Sequence, residues 1–584
     1  MMQDIYDPLT EYLNLFRDRF ADVARQTFAQ LAQEAHIDLE ANRATCQQLY
    51  DTQENLASAK SSLTRWTILC IVMWLGVVAG AGTLIYHFAY TIQGFEKWMI
   101  AATLMAVGTT LLLLILLVHP KAAKLEAQCK GLEETADGLE QTAWQQMEPL
   151  NRLYDWDVLT RMMSATVPRL EFDPYFTTQR LADLKEVYGW DDSFNAERSV
   201  IYSHSGLINS NPFIICRTRK MEMGSKTYHG SKTIHWTTRE RGTDGKYHNV
   251  QHSQVLTASV TAPYPQYHEK TRLIYGNTAA PDLTFNRLQS GLAGHEGSLE
   301  FKMRRNKLRR KSRDLENSDY AMMTNEDFET AFDTSDRNDN QQFALLFTPL
   351  AQDSMMKVLK DDEAGYGDDF DFHKQKMINT VISNHMQELD LDMNPAQYRN
   401  FDYEQAEKDF YKINSNLFRA IYFALAPLLC IPMYQQIRSQ KDIYGHDMPQ
   451  RSAFWEHEAL ANFWGQDRFM HPDCVTTCIL KTEQHTGQGG NSWLKVYAHG
   501  YKTRQRVTYV SRFGGDGRWH KVPVMWDEYI EVTGTGRIDM SEDNGNATEQ
   551  ATSQSQRLQH IHGFLDKENL TLYRRHIASK VVEK

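Results

Sequence analysis

The sequence predicts a membrane protein made of an α-helical transmembrane hairpin, a coiled-coil-like helical stalk and a cytosolic α+β region. Three observations carry this. Trp66–Phe88 and Trp98–Val118 are two apolar runs without a charged side chain, separated by nine residues. Ahead of them, residues 9–63 contain neither Gly nor Pro. From about Glu197 the texture changes to alternation of β-branched and aromatic with polar residues, the period of a strand.

The first run is 23 residues long, and at a rise of 1.5 Å per residue it covers about 34 Å, enough to cross a hydrocarbon core. The second does the same. A nine-residue connection is too short for a domain, so the two runs predict a hairpin (66–118). The long polar segment ahead of it excludes a signal peptide. Lys60, Arg65, Lys121, Lys124 and Lys130 flank the outer ends and only Lys97 lies in the connection. The positive-inside rule then places both termini in the cytoplasm. The 74 acidic against 63 basic residues, a net charge of −11, disfavour a protein that coats nucleic acid. Seven scattered cysteines argue against a disulfide framework.

The flanking arms justify the stalk. In the N-terminal arm (1–65), Leu49, Leu56 and Leu63 are seven apart. In the second arm and its connector (119–195), Leu125, Leu132 and Leu139 alternate with Ala122, Cys129, Ala136 and Ala143 at heptad spacing. The arms are expected to pair within one chain or to hold a homo-oligomer together.

Beyond the arms, 196–360 reads as a β-rich and then α/β domain. Phe213–Arg217, Ser231–Thr238 and Gln254–Thr261 are strands, and Asp244-Gly245 marks the turn of a long hairpin. Residues 272–304 read as further short strands, and 324–333 and 349–360 as helices. A helical region (361–470) contains the Pro-interrupted apolar run Ala420–Tyr434, expected to be a buried helix, with a re-entrant element as the alternative. A C-terminal β-rich domain (471–540) joins two strands through Gly514-Gly-Asp-Gly517. Residues 541–584 read as a disordered linker and a short amphipathic tail.

Three phrases, IYSHSGLINSNPFIICRTRK (201–220), MMTNEDFETAFDTSDRNDNQQFALLFTPLAQDSM (322–355) and FALAPLLCIPMYQQ (423–436), resemble a family of bacterial two-transmembrane proteins with helical arms and a β-containing cytosolic region. The resemblance covers residues 1 to about 535. It implies the architecture and a place in the inner membrane of a bacterial cell, and it carries no activity, cofactor or functional residue.

The motifs that suggest chemistry fail on their spacing. Gly224-Ser-Lys-Thr227 and Gly230-Ser-Lys-Thr233 lack the earlier Gly of a phosphate loop and read as turns and strand edges. Gly487-Gln-Gly-Gly490 precedes a strand where a dinucleotide loop precedes a helix. Asp336, Asn338 and Asn340 begin a calcium loop, but Gln341 stands where Gly is needed and Phe347 where Glu is needed. His471, Cys474, Cys478 and His485 are soft ligands. On a strand, however, residues four apart sit about 13 Å from one another, too far for one ion. No Gly-x-Ser-x-Gly elbow occurs, and His457-Glu458 lacks the second His of a zinc helix. Asp361, Asp362, Glu363, Asp368, Asp369 and Asp371 read as a solvated acidic loop. No metal, catalytic or cofactor residue is assigned, and no cofactor is expected.

One segment stands out: Lys302, Arg304, Arg305, Lys307, Arg309, Arg310, Lys311 and Arg313, eight cations in twelve residues. Phe301, Leu308 and Leu315 recur every seven, so it reads as a helix with a thin apolar stripe. It is expected either to pair with nearby acids or to dock on anionic lipid headgroups; nucleic acid is disfavoured. The sequence therefore predicts a membrane-anchored scaffold or adaptor that binds a protein partner or an anionic surface. The alternative is a membrane-tethered enzyme, such as a hydrolase, whose site is assembled from dispersed residues.

Overall fold

The structure is a computed structural model describing residues 4–90, 97–191, 193–241, 243, 246–314, 319–437, 451–486, 492–542 and 571–582. The turn at Asp244-Gly245, the apolar Leu315 and the Gly487–Gly490 loop lie outside the described residues. The chain divides into two compact units, Phe28–Tyr154 with Pro395–Lys412, and Met1–Thr27 with Asp155–Asn394 and Ile413–Lys584.

The first unit is helical. Its long helices are Leu39–Tyr90 (α1), Lys97–Leu113 (α2) and His119–Leu153 (α3), with one π-turn at Leu114–Val118 joining the last two. α1 and α3 run side by side, burying Cys46, Leu49, Ala59, Cys129, Ala136 and Ala143. Lys60 pairs with Glu133 at 2.6 Å, and Gln146 donates to the Thr45 hydroxyl at 3.1 Å. The partner numbers fall as the helix numbers rise, so the arms are antiparallel. The small residues admit the close approach, while Leu125, Leu132 and Leu139 are only half-buried at its flank. Two helices of this unit are long and apolar enough to cross a membrane. Their apolar side chains, among them Leu75, Ile85, Met105 and Leu116, are uncovered by protein, as a lipid-facing surface requires.

The second unit holds two antiparallel sheets. The seven-stranded sheet is built from Leu170–Phe172 (β1), Arg198–Ile208 (β2), Asn211–Arg241 (β3), Tyr247–Gly276 (β4), Thr284–Arg287 (β5), Phe370–Gln375 (β6) and Ile378–Ser383 (β7), in the order β1-β2-β3-β4-β7-β6-β5. The five-stranded sheet is built from Ile479–Thr486 (β8), Ser492–Phe513 (β9), Trp519–Glu542 (β10), Thr571–Arg574 (β11) and Ile577–Val582 (β12), in the order β11-β12-β10-β9-β8. The buried helix Phe454–Trp464 (α4) contributes Trp455 and Ala459 to the core of the first sheet and Leu460 and Ala461 to that of the second.

Four expectations are corrected here. The first 27 residues are not only an arm: Phe20 stacks on Phe418 at 4.1 Å, Tyr12 packs on Tyr422 and Phe423, and the Tyr422 hydroxyl donates to the Pro8 carbonyl. The apolar run Ala420–Ile431 is buried, in part by this contact. Residues 272–304 hold the end of β4, β5 and the start of a helix, because the basic segment from Leu299 onward follows helical periodicity and is capped by Ser298. The region 361–470 is not purely helical, since β6 and β7 complete the first sheet; their alternation, Phe370, Phe372, Val381, was hidden by the acidic stretch before them. The amphipathic tail is the hairpin β11–β12, which turns through Arg575 and His576 at positive φ and pairs β12 with the end of β10.

Two predictions follow from this packing. Phe20→Ala removes a buried stacked ring and should lower stability by about 3–5 kcal/mol, read as a fall in melting temperature of the detergent-solubilised chain. An unchanged melting temperature would show that the N-terminal segment does not seal this core. Lys374 is buried with its amine donating to the Ala279 carbonyl at 3.1 Å, and burial pulls it down to about 7. Its value in the unfolded chain is near 10.5. Unfolding therefore takes up a proton between pH 7 and 10.5, and stability rises with pH across that window. Lys374→Met should raise the melting temperature at pH 6 and have little effect near pH 10.5.

Candidate functional site

The chemistry-bearing features of the second unit gather around two strand pairs that are longer than their sheets require. β3 and β4 pair from Phe213–Tyr275 out to Arg241–Tyr247, and β9 and β10 pair out to Phe513–Trp519. Their inner ends belong to the sheets. Their outer ends stack on one another as a two-layered arm, with Ile234, Leu256 and Ala258 of the first pair buried against Val522 and Val524 of the second. The approach is close: a Cβ on Gly230 would lie 2.1 Å from the Pro523 carbonyl oxygen. That contact requires glycine, and it explains the second Gly-Ser-Lys-Thr motif. Both such motifs lie within β3 and are not turns. At the end of the second pair, Gly517 turns the chain at positive φ, and Gly515 donates to the Gln254 side chain at 2.7 Å.

Because strand side chains alternate, each pair keeps one face outward. On the first pair the outward rows are mostly polar, Thr227–Thr261, His229–Ser259, Ser231–Thr257 and His235–Ser253, with the exposed Val255 opposite Thr233 among them. On the second they are Val507–Met525, Tyr509–Pro523, Ser511–Lys521 and Phe513–Trp519. Tyr509 is 64% and Trp519 71% exposed, and the Phe513 and Trp519 rings meet edge to face at 5.5 Å. Lys521 on the same face and Arg518 in the turn flank this apolar ladder, while Arg512, opposite His520, lies on the side of Val510 and Val522; no ion pair holds Arg518 or Lys521 among the described residues, and Asp516 is held by His520 at 2.9 Å. Sequence reasoning found these strands and their glycine turn but not the face. Val510, Val522 and Val524 make the other side apolar too, so the pattern alone does not say which side is covered.

At the root of the arm a cleft of about 650 Å³ opens between the two sheets, lined by Lys220, Glu222, Tyr267, Lys481, His499 and Tyr501 among others. Its two lysines are paired, Lys220 with Glu222 at 2.9 Å and Lys481 with Glu458 at 3.0 Å, while Glu531 of the lining accepts from the Tyr501 hydroxyl at 3.2 Å. Burial and the Lys481 charge hold His499 below its ordinary value.

Under the cleft lie Cys474 and Cys478, with their sulfurs 3.7 Å apart. The 13 Å spacing argued from a strand is therefore wrong, because the segment is a turn ahead of β8. His471 and His485 do not join the thiols: the His471 ring accepts from the Asp473 amide, and His485 stacks on Trp493 at 4.2 Å.

The basic segment is the helix Leu299–Arg313 (α5), with Phe301 and Leu308 buried. Half of its cations are engaged: Arg304 with Asp333, Arg305 with Asp327 at 3.4 Å, Arg309 with Glu326, and Lys311 with the Ser335 carbonyl at 2.6 Å. Lys302, Lys307, Arg310 and Arg313 have no such partner among the described residues and remain exposed. The acidic loop is solvated only in part, at Asp362 and Glu363. Asp368 binds Arg287 and accepts from the Ser290 and Gly291 amides, and Asp369 accepts from His385 at 2.6 Å. The calcium-like residues cover a sheet edge instead, Asp336 and Asn338 accepting from the Asn286 and Thr284 amides of β5.

A further cluster had no sequence signal. The β11–β12 turn places Arg574 and Arg575 against the buried Glu456 of α4, at 3.4 and 2.8 Å. Arg574 also binds Asp392, and His576 meets Asp157 at 2.7 Å. Charges this deep are stable only when paired.

No family model matches the chain, and no curated protein or solved structure is similar to it.

The cluster makes a prediction. Arg575→Met should destabilise the chain by about 3–5 kcal/mol by leaving a buried carboxylate under-compensated, and adding Glu456→Gln should recover part of that loss. Denaturation of the three variants in detergent measures both. Wild-type stability in the single variant would show that the tail is not seated there.

Proposed function

We propose that this chain is a membrane-anchored scaffold whose two-hairpin arm docks on an anionic lipid surface. The observation that carries the reading is the exposed ladder on β9 and β10. Aromatic side chains beside unpaired Arg and Lys are the composition of a membrane-interface element, in which rings enter the headgroup region while cations meet anionic lipids. Each interfacial cation contributes about 1 kcal/mol near an anionic leaflet, so Arg518 and Lys521 together favour docking once the chain is tethered. The tether is the pair of long apolar helices. The lysines and arginines flanking them favour both termini on the cytoplasmic side, where anionic headgroups face the arm.

The free cations of α5 are a second electropositive patch of the same sign. Replacing Arg304, Arg305 or Arg309 would break ion pairs of the fold, so Lys302, Lys307, Arg310 and Arg313 are the residues by which that patch is tested.

The test uses the whole chain, since residues 1–27 are part of the arm-bearing unit. With an environment-sensitive dye on Ser511→Cys, the chain is reconstituted in neutral vesicles and in vesicles containing phosphatidylglycerol. Emission should shift to the blue in the anionic vesicles at low salt and return at high salt, where screening shortens the Debye length. The shift should vanish with Phe513→Asp and Trp519→Asp. Emission identical in both vesicles at low salt, or a shift that appears only when a soluble protein extract is added, would overturn lipid docking; the latter result would favour a protein partner.

A further inference from the structure

We infer that Cys474 and Cys478 form a redox modification site, in which a peroxide converts the two thiols into a disulfide at the root of the arm. The geometry comes first. The sulfurs stand 3.7 Å apart, and closing to the roughly 2.05 Å of a disulfide needs a movement within reach of side-chain rotation in a turn. The pair is also placed for access. Both sulfurs lie against Gly500, where a Cβ would come within 2.5 Å of Cys474 and 3.0 Å of Cys478. Gly500 itself lines the cleft. The missing Cβ leaves the space that the two sulfurs fill, beside a cleft large enough for a small oxidant.

The two thiols are not equivalent. Cys478 is fully buried, and burial pushes its thiol up to about 12. Cys474 keeps slight exposure, so it is the first to react. Its thiolate attacks one peroxide oxygen, the O–O bond breaks, and a sulfenic acid and water result. The Cys478 sulfur then attacks the sulfenic sulfur, the S–O bond breaks, and a second water leaves. The net reaction takes two thiols and one hydrogen peroxide to one disulfide and two waters; two electrons pass from sulfur to oxygen.

Thr476, between the two cysteines, gives the site a structural consequence. Its hydroxyl contacts the Tyr267 hydroxyl of β4 at 3.1 Å and accepts from the Tyr501 amide of β9 at 3.0 Å, while Val475 donates to the Tyr501 carbonyl at 2.9 Å. This turn therefore ties the two long strand pairs together where they leave their sheets. A disulfide across it would fix that tie.

To test this, the reduced, detergent-solubilised full chain is treated with hydrogen peroxide, quenched, alkylated under denaturing conditions and mapped by peptide mass. The peptide containing both cysteines should be lighter than its reduced form by two hydrogens, unalkylated, and restored by dithiothreitol. Cys216 and Cys430 in the same sample should remain alkylatable. Cys478→Ser, a near-isosteric change, should instead accumulate a dimedone-reactive sulfenic acid on Cys474. Over-oxidation of Cys474 without the disulfide, or both cysteines alkylated at peroxide doses that oxidise free glutathione, would overturn the inference.

Discussion

The contact on which the account depends is the stacking of the two long strand pairs on each other. A two-stranded ribbon is at best marginally stable in water, and β3–β4 and β9–β10 both extend well past their sheets. They hold their outer ends by burying one face of each, Ile234, Leu256 and Ala258 against Val522 and Val524, with Gly230 allowing the strands to touch. Everything exposed on the arm follows from which faces that contact covers. The polar Thr, Ser and His rows of the first pair and the apolar ladder of the second are what remains.

The same economy of pairing runs through the rest of the second unit. Apart from Lys374, whose amine meets only main-chain carbonyls, several of its buried charges form closed sets: Arg337 with Glu329, Arg287 with Asp368, Arg574 and Arg575 with Glu456 and Asp392. These sets join segments far apart in sequence, and they are structural because each leaves its charges compensated. Against that background an uncompensated cation is informative. Such cations occur on one face of α5 and around the Phe513–Trp519 end of the arm, on a chain whose net charge is −11. The two patches are alike in sign but not in surroundings, since only the arm carries exposed aromatic rings, Tyr509, Phe513 and Trp519, on the same face.

Much of this layout was legible in the sequence, and the misses have physical causes. The apolar helices and their antiparallel arms could be read because a long helix carries its signal in every turn. The long hairpins were found as strands, but their full length was not: the polar outward rows of β3 and β4 look like loop composition until the partner that buries the inward rows is known. The dithiol was misjudged because a turn was taken for a strand, and that changes a sulfur separation from about 13 Å to 3.7 Å. The tail hairpin is not legible in the sequence because Glu456, the partner of Arg574, is 118 residues away. The basic helix could be read as a helix, but which of its cations are free depends on Asp327, Asp333 and Glu326, whose positions only the tertiary structure sets.

The central claim is that the arm meets lipid through one face. Nitroxide labels placed singly at Val507, Tyr509 and Phe513, and on the opposite pair at Ser231, Thr233 and Ser253, measure it by collision with oxygen and with a water-soluble nickel chelate in anionic proteoliposomes. The account predicts that labels on the ladder become oxygen-accessible and nickel-protected, most strongly at Phe513, while labels on the polar rows stay in water. Equal nickel accessibility at all six positions would contradict it.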